Sequence, residues 1–257
     1  MATQIMKGTR KPAESPSPDL AKLAIEAHGG LERWKQFKFL TARLVQGGVL
    51  WALKAKAGVL EHASVKVDLR KEWATHWPFA PTDYRSSFTP QRVAIETRDG
   101  QVIEDLLNPR ESFKGYKMET PWSNPQVAYF AGYTMWTYLT SPFILIQPGV
   151  VSEEIEPWDE NGQTWRRLRV QFPGSIATHS TMQTFYFDRQ GLIRRHDYEV
   201  DIQGSNPAAR YLDDLIEVSG IILPTKMRVF SRRPDNQPAA EPLIVSVDLS
   251  DFLFERS

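Results

Sequence analysis

The sequence contains no cysteine among its 257 residues, which excludes disulfide bonds, thiol catalysis and cysteine-ligated metals. It also has no excess of either charge, because 31 Lys and Arg residues balance 31 Asp and Glu residues. A chain without a net positive field has little attraction for polyanions, so no nucleic-acid partner is expected.

The first residues, MATQIMKGTRKPAESPSPD, lack the apolar run of roughly 7–15 residues that a secretory signal needs. A cytoplasmic location is therefore expected, or a periplasmic one if an export signal has been removed. Residues 1–16 are rich in Pro, Ser, Lys and Thr, which predicts a disordered tail. Residues 17–257 are expected to form one domain.

Sequence motifs for nucleotide binding and for serine or zinc hydrolases are absent, including G-x-G-x-x-G, the P-loop, G-x-S-x-G and H-E-x-x-H. The five histidines are scattered and no two have His-x-His spacing. Neither a cofactor nor a metal site is therefore predicted. The oligomeric state is left open.

One long segment, from Thr120 to Ser152, carries no charged residue, although 24% of the chain is charged. A membrane span needs about 20 consecutive, mostly apolar residues, and this segment is interrupted by threonines, Ser141 and Pro142. No Lys or Arg cluster flanks it to fix an orientation. No transmembrane segment is predicted.

The same segment predicts a buried helix over residues 125–139. Pro125 suits a helix start, Ser123 or Asn124 can cap it, and Pro142 lies beyond its end. Two apolar faces follow from helical spacing: one with Tyr129, Tyr133 and Trp136, the other with Val127, Phe130, Ala131 and Tyr138. A helix that is apolar all round is either a core plug or the wall of a ligand cavity, and both interpretations stay open.

Elsewhere the apolar residues alternate, as in EHASVKVDLR and WRRLRVQF, with turns at Asp99-Gly100 and at Glu160-Asn161-Gly162. Short hairpin turns between alternating segments predict consecutive antiparallel strands. The fold class is therefore expected to be α+β: a strongly curved antiparallel sheet around a few helices.

Three phrases carry a family resemblance: an amino-terminal helix ending in AHGG, the hairpin TFYFDRQGLIRRHDYEVDI, and EVSGIILPTKMRVF before a closing VSVDLSDFLF. In this order they resemble the LolA and LppX type of lipoprotein carrier. The resemblance implies an unclosed half-barrel that wraps helices and an apolar cavity. It also implies a shell used by lipid carriers and, in at least one pathway, by an enzyme without a cofactor.

The hairpin HSTMQTFYFDRQGLIRRHDYEVDI holds the richest polar set. With the turn at Asp188 to Gly191 and Phe187 opposite Leu192, one face carries Gln183, Phe185, Arg194, His196 and Tyr198, with His179 at the far end. His196 suits proton transfer, Tyr198 suits proton donation, and Arg194 suits binding of a carboxylate or enolate. The alternative is a solvated strand face.

Two indoles, Trp73 and Trp77, share one face of KEWATHWPF and are predicted to line the cavity or to fill the core. We therefore expect a hydrophobic or amphipathic small molecule as the partner. Its predicted binding residues are Tyr129, Tyr133, Trp136, Phe130, Trp73, Trp77, Gln183 and His179. The alternative is a cofactor-independent isomerase, cyclase or dehydratase using His196, Tyr198 and Arg194.

Overall fold

The computed structural model describes residues 19–79 and 83–256. The predicted tail of residues 1–16 lies outside these ranges. Within them, the α-helices are α1 (Leu20–Ala27), α2 (Leu31–Trp34), α3 (Leu50–Leu53) and α4 (Asn124–Thr140). The first helix is capped by the carboxylate of Asp19, which accepts hydrogen bonds from the backbone N–H groups of Ala21 and Lys22.

Thirteen strands form one sheet in the described part of the chain. They are β1 (Phe37–Gly47), β2 (His62–Asp68), β3 (Ala74–Trp77), β4 (Arg85–Thr89), β5 (Arg92–Glu96), β6 (Val102–Leu107), β7 (Val151–Glu160), β8 (Gln163–Gln171), β9 (Met182–Phe187), β10 (Ile193–Val200), β11 (Asn206–Val218), β12 (Ile221–Ser231) and β13 (Val245–Arg256).

The sheet is antiparallel throughout, with the spatial order β6-β5-β4-β3-β2-β1-β13-β12-β11-β10-β9-β8-β7. Two meanders, β1 to β6 and β7 to β13, therefore join where the first and last strands pair. Strands β6 and β7 are the free edges, so the sheet is not closed. The chain between those edges contains α4, which lies in the concave face.

Helix α4 begins and ends where the sequence indicated. Ser123 is its N-cap, and Ser123 and Gln126 form a reciprocal capping box. Every residue from Pro125 to Thr140 is buried. The prediction of an internal helix that is apolar on all sides is confirmed.

Close packing holds α4 against the β2–β6 half of the sheet. Gly132 lies directly over the Phe88 ring on β4, and the Trp136 indole N–H donates to the Asp68 carbonyl at the end of β2, at 2.9 Å. Hydroxyl groups near the end of the helix bond to its own carbonyls: Thr140 to Trp136 and Ser141 to Thr137, both at 2.7 Å. These bonds satisfy two of the buried hydroxyls, whereas those of Thr134 and Thr137 have no partner among the described residues.

The β9–β10 hairpin departs from the predicted register. Phe187 pairs with Ile193 and Tyr186 with Arg195, so Arg194 is an extra residue in a β-bulge. The predicted pairing of Phe187 with Leu192 is wrong, because the Asp188 side chain accepts the Leu192 N–H and lengthens the turn. Beyond the bulge, Phe185 and Gln183 pair with His196 and Tyr198.

Within residues 19–79 and 83–256, no helix combines the length and the apolar character that crossing a bilayer requires.

Replacement of Gly132 by alanine tests the packing of α4 on the sheet. An added Cβ would lie 2.2 Å from Cγ of Phe88, so the ring or the helix must shift. Alanine favours helix by up to about 1 kcal/mol, yet overpacking costs about 1–3 kcal/mol or more. We expect G132A to lower the free energy of unfolding by about 2 kcal/mol in urea titrations.

The control is G174A, where an added Cβ has no heavy atom within 4 Å. Its free energy of unfolding should stay within about 0.5 kcal/mol of the original. A G132A protein as stable as G174A would mean that α4 does not pack tightly on β4.

Candidate ligand-binding site

A cavity of about 50 Å³ lies between α4 and strands β10 to β13. Because a water molecule needs roughly 10–15 Å³ measured in this way, the space holds only a few waters. Most of the wall is apolar. The lining residues from the strands and α3 include Leu50, Trp51, Val200, Ala208, Val229, Ile244, Val245 and Val247.

The face of α4 that lines this cavity carries Phe130, Ala131, Thr134, Met135 and Tyr138. Of the four α4 residues predicted to bind ligand, Phe130 therefore lies at the cavity. Tyr133 is buried behind it, Trp136 packs on the end of β2, and Tyr129 lines a separate cleft. The sequence had predicted binding residues on both faces of the helix, and the face with Phe130 is the one that lines this cavity.

A stack of aromatic and polar side chains forms one end of the cavity. The rings of His179 and Tyr198 are parallel with centroids 3.8 Å apart, and both line the space. The Tyr198 hydroxyl lies 2.5 Å from the Tyr138 hydroxyl. On the other side, the Tyr133 hydroxyl lies 3.3 Å from Nδ1 of His179, whose Nε2 has no partner among the described residues.

Behind this stack, Gln183 holds the His196 ring in one orientation through a hydrogen bond. The Gln183 amide nitrogen donates to Thr178 Oγ1 at 2.7 Å and to the Ser180 carbonyl at 2.8 Å, so its oxygen faces Nε2 of His196 at 2.6 Å. Nε2 therefore carries the hydrogen, and Nδ1 is left as an acceptor. The solvated strand face considered from the sequence does not exist here, because His196 and Tyr198 are buried.

Burial sets the charge of this cluster. It lowers the pKa of both His179 and His196 well below the usual value, and the nearby Arg210 lowers them further. Both imidazoles are therefore neutral at pH 7. Burial also raises the pKa of Tyr198 well above its usual value, which keeps the hydroxyl protonated.

Three further predicted site residues lie away from the cavity. Arg194, displaced by the bulge, is partly exposed and bonds to the Asp188 carboxylate at 2.7 Å. Trp73 and Trp77 lie on the outer face of β3, because Ala74 and His76 pair with Val67 and Val65 on the concave side. There the indoles border a groove with Phe39 and Tyr84, and Trp77 is 36% exposed.

Arg210, Thr134 and Gln203 are also buried at or near the cavity, although no sequence prediction placed them in the site. The alternation pattern of the sequence does mark Arg210 as a buried residue. In the strand ARYLDDLIEV it shares a face with Ala208 and Leu212, so a period-two reading places a charge among core residues.

A second polar group lies beside Tyr129, at a cleft of about 310 Å³. One oxygen of the Glu72 carboxyl accepts the Ala177 N–H at 2.9 Å, and the other has no hydrogen-bond partner among the described residues. Arg110 lies near Tyr129 and donates to the Thr178 carbonyl at 2.8 Å and to Asp201 at 3.0 Å. Glu72 and Arg110 thus tie the segment from Ala177 to Thr178 to the opposite half of the sheet.

No group of three or more His, Asp or Glu side chains converges as metal ligands in the described ranges.

Comparison with known proteins identifies the class. The chain superposes on a LolA superfamily protein from Nitrosomonas europaea (TM-score 0.52, 8% identity, 92% of this chain and 94% of that one). It also matches a DUF1329 family protein from Desulfovibrio piger (0.50, 13%, 92% and 92%). A third match is an outer membrane lipoprotein-sorting protein domain from Vibrio parahaemolyticus (0.52, 10%, 91% and 92%).

The protein therefore belongs to the class of unclosed antiparallel half-barrels that wrap helices. Its fold is LolA-like, as the sequence resemblance predicted. No family model matches the sequence, and no curated protein matches it.

Replacement of Glu72 by glutamine tests the polar group beside Tyr129. Burial raises the pKa of the Glu72 carboxyl from 4.5 to about 8. Between these values the unfolded chain loses the proton and the folded chain keeps it, so the free energy of unfolding falls as pH rises. Glutamine does not ionise, so E72Q does not lose stability in this way. The free energy of unfolding of E72Q, relative to that of the original protein, should therefore increase by about 1–3 kcal/mol from pH 5 to pH 8.

The matched control is E111Q, an exposed carboxyl at the same cleft. At pH 7 its unfolding free energy should stay within about 0.5 kcal/mol of the original, as for most surface substitutions. Unfolding free energies of E72Q and the original protein that run parallel across pH would show that Glu72 ionises normally in the folded chain.

Proposed function

We propose that the protein binds an apolar or amphipathic small molecule in the cavity between α4 and strands β10 to β13. The supporting observation is the composition of the wall. Apolar side chains surround most of the space, and Tyr138, His179 and Tyr198 form a polar end. Ligand sites typically combine an apolar wall with a few directed polar groups.

The LolA-like fold supports the same proposal. One similar structure is described as an outer membrane lipoprotein-sorting protein domain. We extend from it only the coarse idea of a shell for apolar cargo, because fold alone does not define function. The cytoplasmic location stays a prediction from the sequence.

Binding requires the cavity to widen, because its present volume of about 50 Å³ is smaller than an amphiphile. Gly132 and Trp136 fasten α4 to the β2–β6 half of the sheet. The cavity lies on the other side of the helix. We infer that a ligand separates α4 from β10 to β13 and leaves the helix on its own half of the sheet.

A cofactor-independent enzyme is the second proposal, and the buried cluster of His179, His196 and Tyr198 favours it. The low histidine pKa values make each imidazole a weak base rather than an acid at pH 7. His179 and Tyr198 line the cavity, which makes them better placed to touch a substrate than His196. Arg194 lies at the turn and would not take part.

Filling the cavity tests binding. Ala208 lines it from β11, so A208L should occupy the space that a ligand needs. The probe is phenylnaphthylamine, which is neutral and fluoresces in apolar surroundings. We expect A208L to weaken its binding at least tenfold, and native mass spectrometry should show less copurified small molecule.

The control is A52L, the same substitution at an exposed position of α3 outside the cavity lining. It should bind the probe as the original protein does. Thermal unfolding of both variants checks that they are folded. Equal binding by A208L and the original would place the ligand elsewhere and contradict the proposal.

Replacement of Tyr198 by phenylalanine separates carrier from enzyme. Y198F removes one hydroxyl from the polar end, whose partner is the Tyr138 hydroxyl. If the protein is a carrier, it leaves its ligand unchanged. The copurified small molecules should then have the same chromatographic and mass profile after incubation with Y198F as after incubation with the original protein. Conversion by the original protein that falls at least tenfold in Y198F would support the enzyme proposal instead.

A further inference from the structure

Arg210 is a fully buried cation without an anionic partner. It lies on β11, pairs with His196 and Val229 in the sheet, and is 0% exposed. Among the described residues, the one hydrogen-bond contact of Nη1 is with the sulfur of Met227, at 3.6 Å. Nε and Nη2 have no acceptor among the described residues. Five donors in a fixed planar arrangement thus find no oxygen in the part of the chain that the structure describes.

Arg195, on the neighbouring strand β10, shows how this protein stabilises a buried guanidinium. It is also 0% exposed but lies on the outer face. Its nitrogens donate to both carboxylate oxygens of Asp197, at 2.7 and 2.8 Å, and to Glu160 at 2.7 Å. The Tyr211 hydroxyl and the Asn236 carbonyl complete its partners.

Arg210 also makes a close contact with an aromatic ring. Its Cζ lies 3.5 Å from the centroid of Tyr138. A cation–π contact returns much less free energy than the loss of water from an unpaired charge costs. Consistent with this imbalance, burial lowers the pKa of Arg210. A carboxylate or phosphate would supply the missing bidentate acceptor.

The position of Arg210 connects it to the proposed ligand. Tyr138, on which the guanidinium lies, lines the cavity, as do its strand neighbours Ala208 and Val229. Two further polar groups near Arg210 are the Tyr198 hydroxyl and the His196 imidazole, whose Nδ1 has no partner among the described residues. A shift of the Tyr138 ring would therefore open the guanidinium to the polar end of the cavity.

We propose that the ligand is an anionic amphiphile and that Arg210 binds its carboxylate or phosphate head, with the tail along the apolar wall. This inference rests on the proposed function. The Tyr138 ring moves off the guanidinium as the head arrives, and the buried cation gains its counterion. Free inorganic phosphate shares the head-group chemistry but lacks the tail.

The test compares matched probes on the full-length protein by titration calorimetry: decanoate, decyl phosphate, decanol and inorganic phosphate. A charged hydrogen-bonded head should make decanoate and decyl phosphate bind roughly 10- to 100-fold more tightly than decanol. In R210M this preference should fall to about onefold to threefold, with decanol affinity unchanged. R210K keeps the positive charge but lacks the planar set of donors in a guanidinium. It should restore part of the preference for the anionic probes.

The control is R169M, which removes an exposed arginine paired with Glu153 and should keep the full preference. R210M should be at least as stable as the original protein, since it removes an unpaired buried charge. A merely structural Arg210 would instead lower stability in R210M and leave the preference intact, which would overturn the inference.

Other outcomes are equally decisive. If the original protein bound decanoate and decanol with equal affinity, the proposal of an anionic head group would be wrong, and the proposal of an apolar binding site would stand. If inorganic phosphate bound as tightly as decyl phosphate, the apolar tail would contribute nothing, and the proposal of an amphiphilic ligand would be wrong. No binding by any of the three tailed probes would reject the proposed function together with this inference.

Discussion

The rest of the structure depends on burying α4 on all sides. A helix without a charged residue, with every side chain from Pro125 to Thr140 buried, cannot lie on a surface. One flat sheet covers only one face of such a helix. The unclosed, thirteen-stranded sheet solves this by bending around it, with β2 to β6 against one side and β10 to β13 facing the other.

That arrangement places tyrosine, threonine and histidine groups where water is scarce, so each needs a partner within the protein. Most have one: Thr140 and Ser141 bond to the helix backbone, and Tyr138 bonds to Tyr198. Among the exceptions in the described residues, Arg210 and free ring nitrogens of His179 and His196 lie at or near the polar end of the cavity. Glu72, His76 and Thr137 also have unpartnered atoms, and these residues do not line the cavity. Unsatisfied buried groups beside a cavity are candidates for recognising a ligand.

Much of this fold is predictable from the sequence, because its signals are local. Ser123, Pro125 and Pro142 mark the ends of α4, and alternation with short turns marks the antiparallel strands. The cavity side of α4 is not predictable. A helix that is apolar all round has no polar face to orient it, so Phe130 and Tyr133 are equally plausible as lining residues until the sheet is known.

The candidate site depends even more on long-range geometry. A single extra residue at Arg194 moves that side chain out of the His196 face, and no nearby residue signals a bulge. The outward direction of Trp73 and Trp77 follows from the pairing of β3 with β2. Arg210 was detectable by its alternation with Ala208 and Leu212, but its lack of a counterion requires all neighbouring strands.

The pairing of β1 with β13 has a consequence for how the chain is made. Phe37 and Arg256 are partners in this pair, so the central seam of the sheet cannot form until the last strand has left the ribosome. Contacts this distant in sequence slow folding and prolong the exposure of unpaired edges. During synthesis the first meander and α4 are made before β10 to β13, so the side of the helix that these strands cover stays exposed until they emerge.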